Sequence, residues 1–333
     1  MRLCKTPILL TLTVAGLTAC GPAGEAQDET LAEELVGAPV DDTHTFSVGV
    51  CAGALNAAGE CRGGPVRCSG TLVAPNLVLT ARHCIHTIEP DDVADPQFCD
   101  AHFTSTPLRA GGVRVTASPS ALSNAPKWYE VTEAFVPADP DICDSDVAML
   151  VLASNVSLAE SYTARIDLER NLAIDPPKEV AIIGRGAVDL TFSLDPVTGD
   201  LFEVLTFNNG GLARRIIEHV PFLCASDVDF FCRVVDHSTP VTHEFALTKG
   251  QVLTGPALLN GDSGSGLFRQ QEIDAKRPRV IGVASWGTWG PDGHTNASGF
   301  IRVDRHAPML RNAAEVAASA GGYKLPSWAR LDD

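Results

Sequence analysis

From about residue 43 the chain consists of short apolar runs punctuated by Gly, Pro and polar residues. Phe46, Val48 and Val50 alternate with small residues, the period-two signature of a strand with one buried face. Thr71-Leu72-Val73 and Leu77-Val78-Leu79 flank Ala74-Pro75-Asn76, which predicts a hairpin. Residues 146–152, 180–183 and 280–285 are further branched apolar runs of strand length. Only residues 308–318 carry a helical period, through Met309, Leu310, Ala313, Val316 and Ala317. Many short strands with turn signals predict a sandwich or barrel and argue against βαβ units. The stretches 85–130 and 190–245 read as long, irregular loop insertions, and no internal repeat is visible.

The amino terminus has a different character. Arg2 and Lys5 precede a short apolar run that ends in Leu17-Thr18-Ala19-Cys20. That run is too short for a stable membrane anchor and predicts an export signal over residues 1–20. The tetrapeptide resembles a bacterial lipobox, which implies a lipid on Cys20; the alternative is an ordinary cut after Ala19. Residues 21–34 carry Glu25, Asp28, Glu29, Glu33 and Glu34 with no basic residue or strand pattern, and read as a tether or propeptide. Eight of the ten cysteines lie beyond this leader, and an even number in an exported chain predicts a disulfide framework. With no CxxC pair and scattered histidines, a zinc site is not expected.

In 333 residues, 41 are acidic and 25 basic, for a net charge of −16. Phosphate binding needs a basic surface, so nucleic acid is not expected as a partner. No run of 18 or more apolar residues occurs in the body of the chain, so a membrane association would rest on a lipid at Cys20.

Three segments carry candidate chemistry. The first is Leu79-Thr80-Ala81-Arg82-His83-Cys84, preceded by Cys68 on the far side of the hairpin. A Cys68–Cys84 bond would close a loop of about 15 residues, worth roughly 3 kcal/mol in the loop-entropy picture, and would fix the turn that carries His83. The second is Asp144-Ser145-Asp146, at the start of an apolar strand. The third is Gly261-Asp262-Ser263-Gly264, where glycines open access to a serine and free the N–H groups of Gly261 and Ser263 to form an oxyanion hole. Singly, each has a bland reading: a core histidine, a strand-end acid, a flexible loop. Together, in the order His, Asp, Ser, they suggest nucleophilic catalysis with Ser263 attacking, His83 as base and Asp146 orienting it. Such chemistry needs no metal or organic cofactor.

At these residues the chain resembles the chymotrypsin/trypsin family. LTARHC is similar to the family's LTAAHC, DSDVAML to its D-I-A-L segment and NGDSGSGL to its GDSGGPL. AIIGRG, ASWG and GFIRVD, ending at Gly186, Gly287 and Asp304, match further segments in family order. The resemblance implies an all-β domain over residues 35–320, made of two six-stranded antiparallel β-barrels with a C-terminal helix, and a short tail over 321–333. It implies a serine endopeptidase acting on proteins or peptides. It also implies the Cys68–Cys84 bond; pairs 51–61, 99–143 and 224–232 follow only from proximity. Three residues depart from the pattern: Arg82 replaces a small residue, Ser265 replaces a glycine, and Leu259 stands where many members have a cystine half.

The resemblance carries two further expectations. Leu35-Val36-Gly37-Ala38 is similar to the family's Ile-Val-Gly-Gly start, so cutting before Leu35 would free an amino group to pair with Asp262; otherwise Asp262 has another partner in an uncut chain. The primary pocket would have Ala257 at its base, Ser285, Trp286 and Gly287 along one wall and Gly299 on another. That predicts a preference for a sizeable apolar residue, unless Asp292 swings in. Two rivals remain: an α/β-hydrolase esterase, disfavoured because its nucleophile precedes its acid and base, and a catalytically silent surface lipoprotein that uses the barrels for binding.

Overall fold

Pleated runs of β-branched and aliphatic residues close into a first barrel from strands β1 (Ser47–Ala52), β2 (Cys68–Ala74), β3 (Leu77–Thr80), β4 (Val113–Thr116), β5 (Tyr129–Phe135) and β6 (Ala148–Leu152). Their order around the barrel is β1-β2-β3-β6-β5-β4, with β4 pairing back to β1. This is a computed structural model that describes residues 40–57, 59, 61, 68–88, 101–107, 112–119, 126–187, 189–194, 201–206, 213–235, 242–289 and 295–331. The leader, Cys20, the tether, Leu35, Cys99 and Asp292 lie outside the described residues.

A second barrel follows, from β7 (Glu179–Gly184), β8 (Arg215–Ala225), β9 (Gln251–Thr254), β10 (Gly266–Arg269), β11 (Arg279–Trp289) and β12 (Thr295–Arg302). Its order, β10-β7-β8-β9-β12-β11, closes through β10 and β11. Relabelled from its own first strand, this is the same cyclic order as the first barrel, a repeat of topology with no repeat of sequence. The two-residue strand Arg165–Ile166 adds in parallel to β11. The expected architecture of two antiparallel six-stranded barrels is therefore the one the chain adopts.

Closure removes sheet edges and puts alternate side chains into two cores. Phe46, Val48, Val50, Leu72, Leu79, Met149 and Leu150 fill the first; Val180, Ile182, Val220, Val252, Leu267 and Phe300 fill the second. Strand β1 is buried on both faces, not on one as its alternation predicts. Its outer face meets the second barrel: Arg185 Nη2 donates to Ser47 O at 2.9 Å. The expected helix runs over Ala307–Gly321 and ends at Gly322 in the left-handed region. It packs Leu310, Ala313, Ala314 and Ala317 on the first core. The tail then folds back, burying Trp328, whose Nε1 donates to Val73 O at 3.1 Å.

The stretches read as irregular loops contain strands. Residues 85–130 supply β4 and a small hairpin of His86–Ile88 with Phe103–Pro107. Residues 190–245 supply β8 and, with neighbouring positions, the ladders Asp189–Leu194 with Leu201–Thr206 and Phe230–Val235 with Thr242–Leu247. Strand β8 was hidden by Pro221, which demotes a strand reading, and by His219, whose φ of 59° breaks the pleat. A register shift between Val180 and Ile182 marks the same irregularity on the partner strand. Cystines join Cys51 to Cys61, Cys68 to Cys84 and Cys224 to Cys232; Cys143 is also disulfide-bonded.

Candidate active site

His83 sits on the one-turn helix Arg82–Cys84 that follows β3. The Cys68–Cys84 bond ties this turn to the start of β2. Arg82, expected only as a departure from the family pattern, has a structural task. Its guanidinium is buried, donates from Nη1 to Pro137 O at 3.1 Å and Asp139 O at 2.7 Å, and lies 4.5 Å from the Phe103 ring centre. It therefore fastens the His83 turn to the chain that delivers the acid.

That chain makes a short helix, Ile142–Ser145, which brings Asp146 to the head of β6 with no solvent exposure. One carboxylate oxygen of Asp146 accepts His83 N at 2.8 Å; the other lies 2.7 Å from His83 Nδ1. Ser285, expected on a pocket wall, donates its hydroxyl to this second oxygen at 2.5 Å. Three donors thus hold a buried carboxylate that would otherwise be costly. Burial pushes the His83 imidazole pKa down, but the charge and hydrogen bond of Asp146 outweigh it, and the net shift is upward from 6.5.

Ser263 lies in a loop fixed from both barrels. Ser69 N donates to Ser263 O at 2.8 Å, and Cys84 Sγ is 3.8 Å from the same oxygen, which sets Ser263 beside the His83 turn. Ser69 Oγ donates to Gly261 O at 2.9 Å and accepts Arg185 N at 2.9 Å, so one hydroxyl bridges β2, the Ser263 loop and the end of β7. From the other side Gly264 N donates to Ala284 O at 2.8 Å. Gly264 has φ of 85°, and a Cβ there would lie 2.2 Å from Ser69 O, so glycine is required by both conformation and space. Among the described residues no hydrogen bond joins Ser263 Oγ to His83, and the N–H groups of Gly261 and Ser263 donate to no protein acceptor. Ligand-free sites of this type often hold such contacts long.

Asp262 points away from the solvent. It is fully buried, with Gly186 N donating to Oδ1 at 2.7 Å and Leu259 N to Oδ2 at 3.1 Å. The loop that lacks a cystine half at Leu259 is therefore tied through Asp262 instead; Asp262 N also donates to Leu259 O at 3.0 Å.

The pocket residues come together, but not as an open slot. Leu258, Leu259, Asn260, Ser263, Ser285, Trp286 and Gly287 line a cavity of about 80 Å³. Ala257 is buried behind it, with Ala257 N and Leu258 N both donating to Ser298 Oγ. The room expected at Gly299 is taken by Trp286. The two are paired across β11 and β12, and a Cβ on Gly299 would lie 2.0 Å from the indole Cε2. The indole rests toward Phe245, at 6.4 Å between ring centres, and its buried Nε1 has no hydrogen-bond partner among the described residues. A larger groove of about 480 Å³ lies between the C-terminal helix and the tail and contains none of the candidate residues. Cys68, His83 and Cys84 cluster closely, but the two sulfurs are spent in their mutual bond and cannot ligate a metal.

A family model described as Trypsin matches residues 52–203, a span that includes His83 and Asp146 and stops short of Ser263. No curated protein matches the chain. With that match and two closed six-stranded barrels, the chain has the chymotrypsin/trypsin-like serine protease fold.

Proposed function

We propose that the chain is a serine endopeptidase in which His83, Asp146 and Ser263 form the catalytic triad. The observation that carries the reading is the pair of hydrogen bonds that the Asp146 carboxylate accepts from the backbone and ring of His83, next to a serine in a Gly-Asp-Ser-Gly loop. Ser263 Oγ attacks the scissile carbonyl while His83 Nε2 takes its proton. Asp146 holds Nδ1 protonated, so that Nε2 is the free base, and stabilises the imidazolium that forms. The N–H groups of Gly261 and Ser263 receive the developing oxyanion, an effect typically worth about 10²–10³ in rate per donor. His83 then protonates the leaving amine, and water attacks the acyl-enzyme by the same relay. The substrate side chain enters between Leu258, Trp286 and Gly287. Among the described residues no acidic group lies at Ala257, and an unpaired cation there would be costly to desolvate, so an apolar residue is preferred over Lys or Arg.

Protein or peptide substrates fit this fold. The cystines suit an oxidising compartment, and no helix among the described residues is long and apolar enough to cross a membrane. We read the leader as an export signal and Cys20 as the lipidated residue of an envelope protein, released if the chain is cut before Leu35.

The rival reading, a catalytically silent surface lipoprotein, draws on the indole against Gly299. Labelling by a serine-directed fluorophosphonate separates the two. The wild-type chain should be labelled and should hydrolyse peptides; Ser263→Ala should lose both while melting at an unchanged temperature, because a lost hydroxyl opens little space. Peptide hydrolysis well above background in pure Ser263→Ala would sink the assignment.

A further inference from the structure

Residue 82 stands between β3 and His83, where the family pattern has a small side chain and this chain has a long cation. Stability alone does not call for one. Arg82 is 6% exposed, its Nε has no partner among the described residues, and burial lowers its pKa. An apolar side chain of similar volume would avoid that desolvation. What the guanidinium supplies is geometry. Nη1 reaches Pro137 O at 3.1 Å, Asp139 O at 2.7 Å and the Ser145 hydroxyl oxygen at 3.5 Å. The first two acceptors lie in the irregular stretch 136–141 that joins β5 to the short helix before Asp146, and Ser145 is the residue next to that acid. Ser145 also donates its hydroxyl back to Asp141 O. The guanidinium meets the ring of Phe103, itself 5% exposed, on the inserted hairpin of His86–Ile88 with Phe103–Pro107. Main-chain bonds tie that insertion to the same stretch: Phe103 N donates to Pro140 O at 2.9 Å and Ile142 N to Ala101 O at 3.1 Å, with His102 bridged to Asp141 between them.

We propose that Arg82 is a positioning residue of the His83–Asp146 pair, clamped between the 136–141 stretch and the inserted hairpin, and that the hairpin is the brace of this clamp. The inference rests on the triad reading given under Proposed function. Arg82 touches no reacting atom. It acts by fixing where the acid-bearing chain stands relative to the turn that carries His83. The two bonds from His83 to Asp146, at 2.8 and 2.7 Å, leave little slack, and a misplacement of about 1 Å in such a constellation can cost about 100-fold in rate. A guanidinium offers donors to two carbonyls and a flat face to a ring at once; an ammonium reaches the carbonyls but has no flat face to stack. The insertion thus contributes to catalysis without lending a group to it: Phe103 holds the guanidinium from one side, and the paired backbone at residues 101–103 holds the stretch that the guanidinium grips.

The test uses the full exported chain with Arg82→Met, Arg82→Lys or Phe103→Leu. Peptide hydrolysis is measured per fluorophosphonate-labelled site, and NMR follows the low-field proton of the His83 Nδ1–H bond to Asp146. Arg82→Met should lose about 100-fold in kcat, with KM moving less than about threefold. Arg82→Lys should return to within about tenfold of the wild type, and Phe103→Leu, which changes no charge, should lose about fivefold. The low-field resonance should move upfield in the Met variant and stay near its place in the Lys variant. A merely structural arginine would lower the melting temperature or the labelled fraction and leave both kcat per site and the resonance unchanged; that result overturns the inference. If Arg82→Met does not fold, the other two variants decide, and wild-type kcat per site in both overturns it. If Arg82→Met loses rate while Phe103→Leu does not, the hairpin is no brace and that half of the inference falls. If the wild-type chain is not labelled at all, the triad reading fails, and the resonance still decides whether Arg82 holds Asp146 against His83.

Discussion

Replacing Trp286 by alanine should make the enzyme bind small apolar substrates more tightly, because the indole occupies space at Gly299 that a substrate side chain needs. The cavity beside Ser263 is about 80 Å³, room for two or three waters at about 30 Å³ each and too little for an aromatic ring. Productive binding therefore requires the indole to leave. Two opposing terms set the cost. An indole buries roughly 200 Å² when fully covered, and Trp286 is only half-buried. Losing about 100 Å² of contact costs roughly 2–3 kcal/mol at about 25 cal/mol per Å². Against this, the buried Nε1 is without a partner, and its rehydration returns about 1–3 kcal/mol. The net cost is about −1 to 2 kcal/mol, so the binding-competent state is populated between roughly 3% and 85% of the time, and KM is raised by the inverse of that fraction. Trp286→Ala should lower KM for an acylated single-residue phenylalanine ester by about 1.2- to 30-fold. The short ester reaches no further subsite where the indole could be missed. Stopped-flow binding of a small apolar boronate should saturate with concentration in the wild type, as a gated step does, and lose saturation in the variant. An unchanged KM together with a linear wild-type binding rate would refute the reasoning.

Hydrolysis should rise with pH through an inflection above 6.5, since His83 must be neutral to act and its pKa is raised; Asp146→Asn should move the inflection down and cost about 10⁴ in kcat. The same shift makes His83 a source of stability that is full below pH 6.5 and lost as pH rises through the folded pKa, which pH-dependent melting of wild type and Asp146→Asn would expose. Burial, countered by Arg215 and three backbone donors, leaves the Asp262 carboxyl raised to about 6. Stability should therefore fall by about 3 kcal/mol as pH climbs from 3.8 to 6, and Asp262→Asn should flatten that slope; a wild-type slope of the opposite sign at this step would contradict the buried, protonatable acid. Ser69→Ala should cost about 1–3 kcal/mol in denaturant unfolding, because Gly261 O loses its donor, and should slow fluorophosphonate labelling about tenfold; unchanged labelling would mean the hydroxyl does not brace the loop.

The parts of the site that were legible in the sequence are those whose chemistry is written within a few neighbouring residues. Gly261-Asp262-Ser263-Gly264 announces a serine that needs backbone freedom, and Gly264 at φ of 85° with Ser69 O against it is the structural reason. Cys68 and Cys84 belong to a motif that the family resemblance reads as bonded, and the bond is there. What the sequence hid depends on the register between distant strands. Ser69 looks like any strand serine until β2 is laid against the loop after Leu259. Arg82 and Arg215 look like surface cations until their burial and carbonyl partners are known. Strand β8 was missed because Pro221 and His219 break the local pattern that closure of the barrel then overrides. The room at Gly299 was expected for a related reason: two wall residues on adjacent strands were read one at a time, and only their pairing shows that the Trp286 side chain fills the space beside Gly299.

These hidden contacts share a location, and that location bears on how the site works. His83 and Asp146 are carried by the first barrel, while Ser263 and Asp262 are carried by the second. The proposed triad, split this way, is only as accurate as the joint between barrels. The joint is made of polar groups with fixed partners and not of apolar packing alone: Ser69 to Gly261 and Ser263, Arg185 to Ser47, and Ser285 to Asp146. Apolar surfaces tolerate sliding at small cost, whereas a buried donor or acceptor that loses its partner costs about 1–3 kcal/mol. Each of these bonds thus penalises a shift of one barrel on the other. Ser285 is the most telling of them, because it stands on the strand that would line the substrate and yet donates to the acid of the opposite barrel. A displacement of β11 would therefore be resisted at Asp146, through the Ser285 hydroxyl.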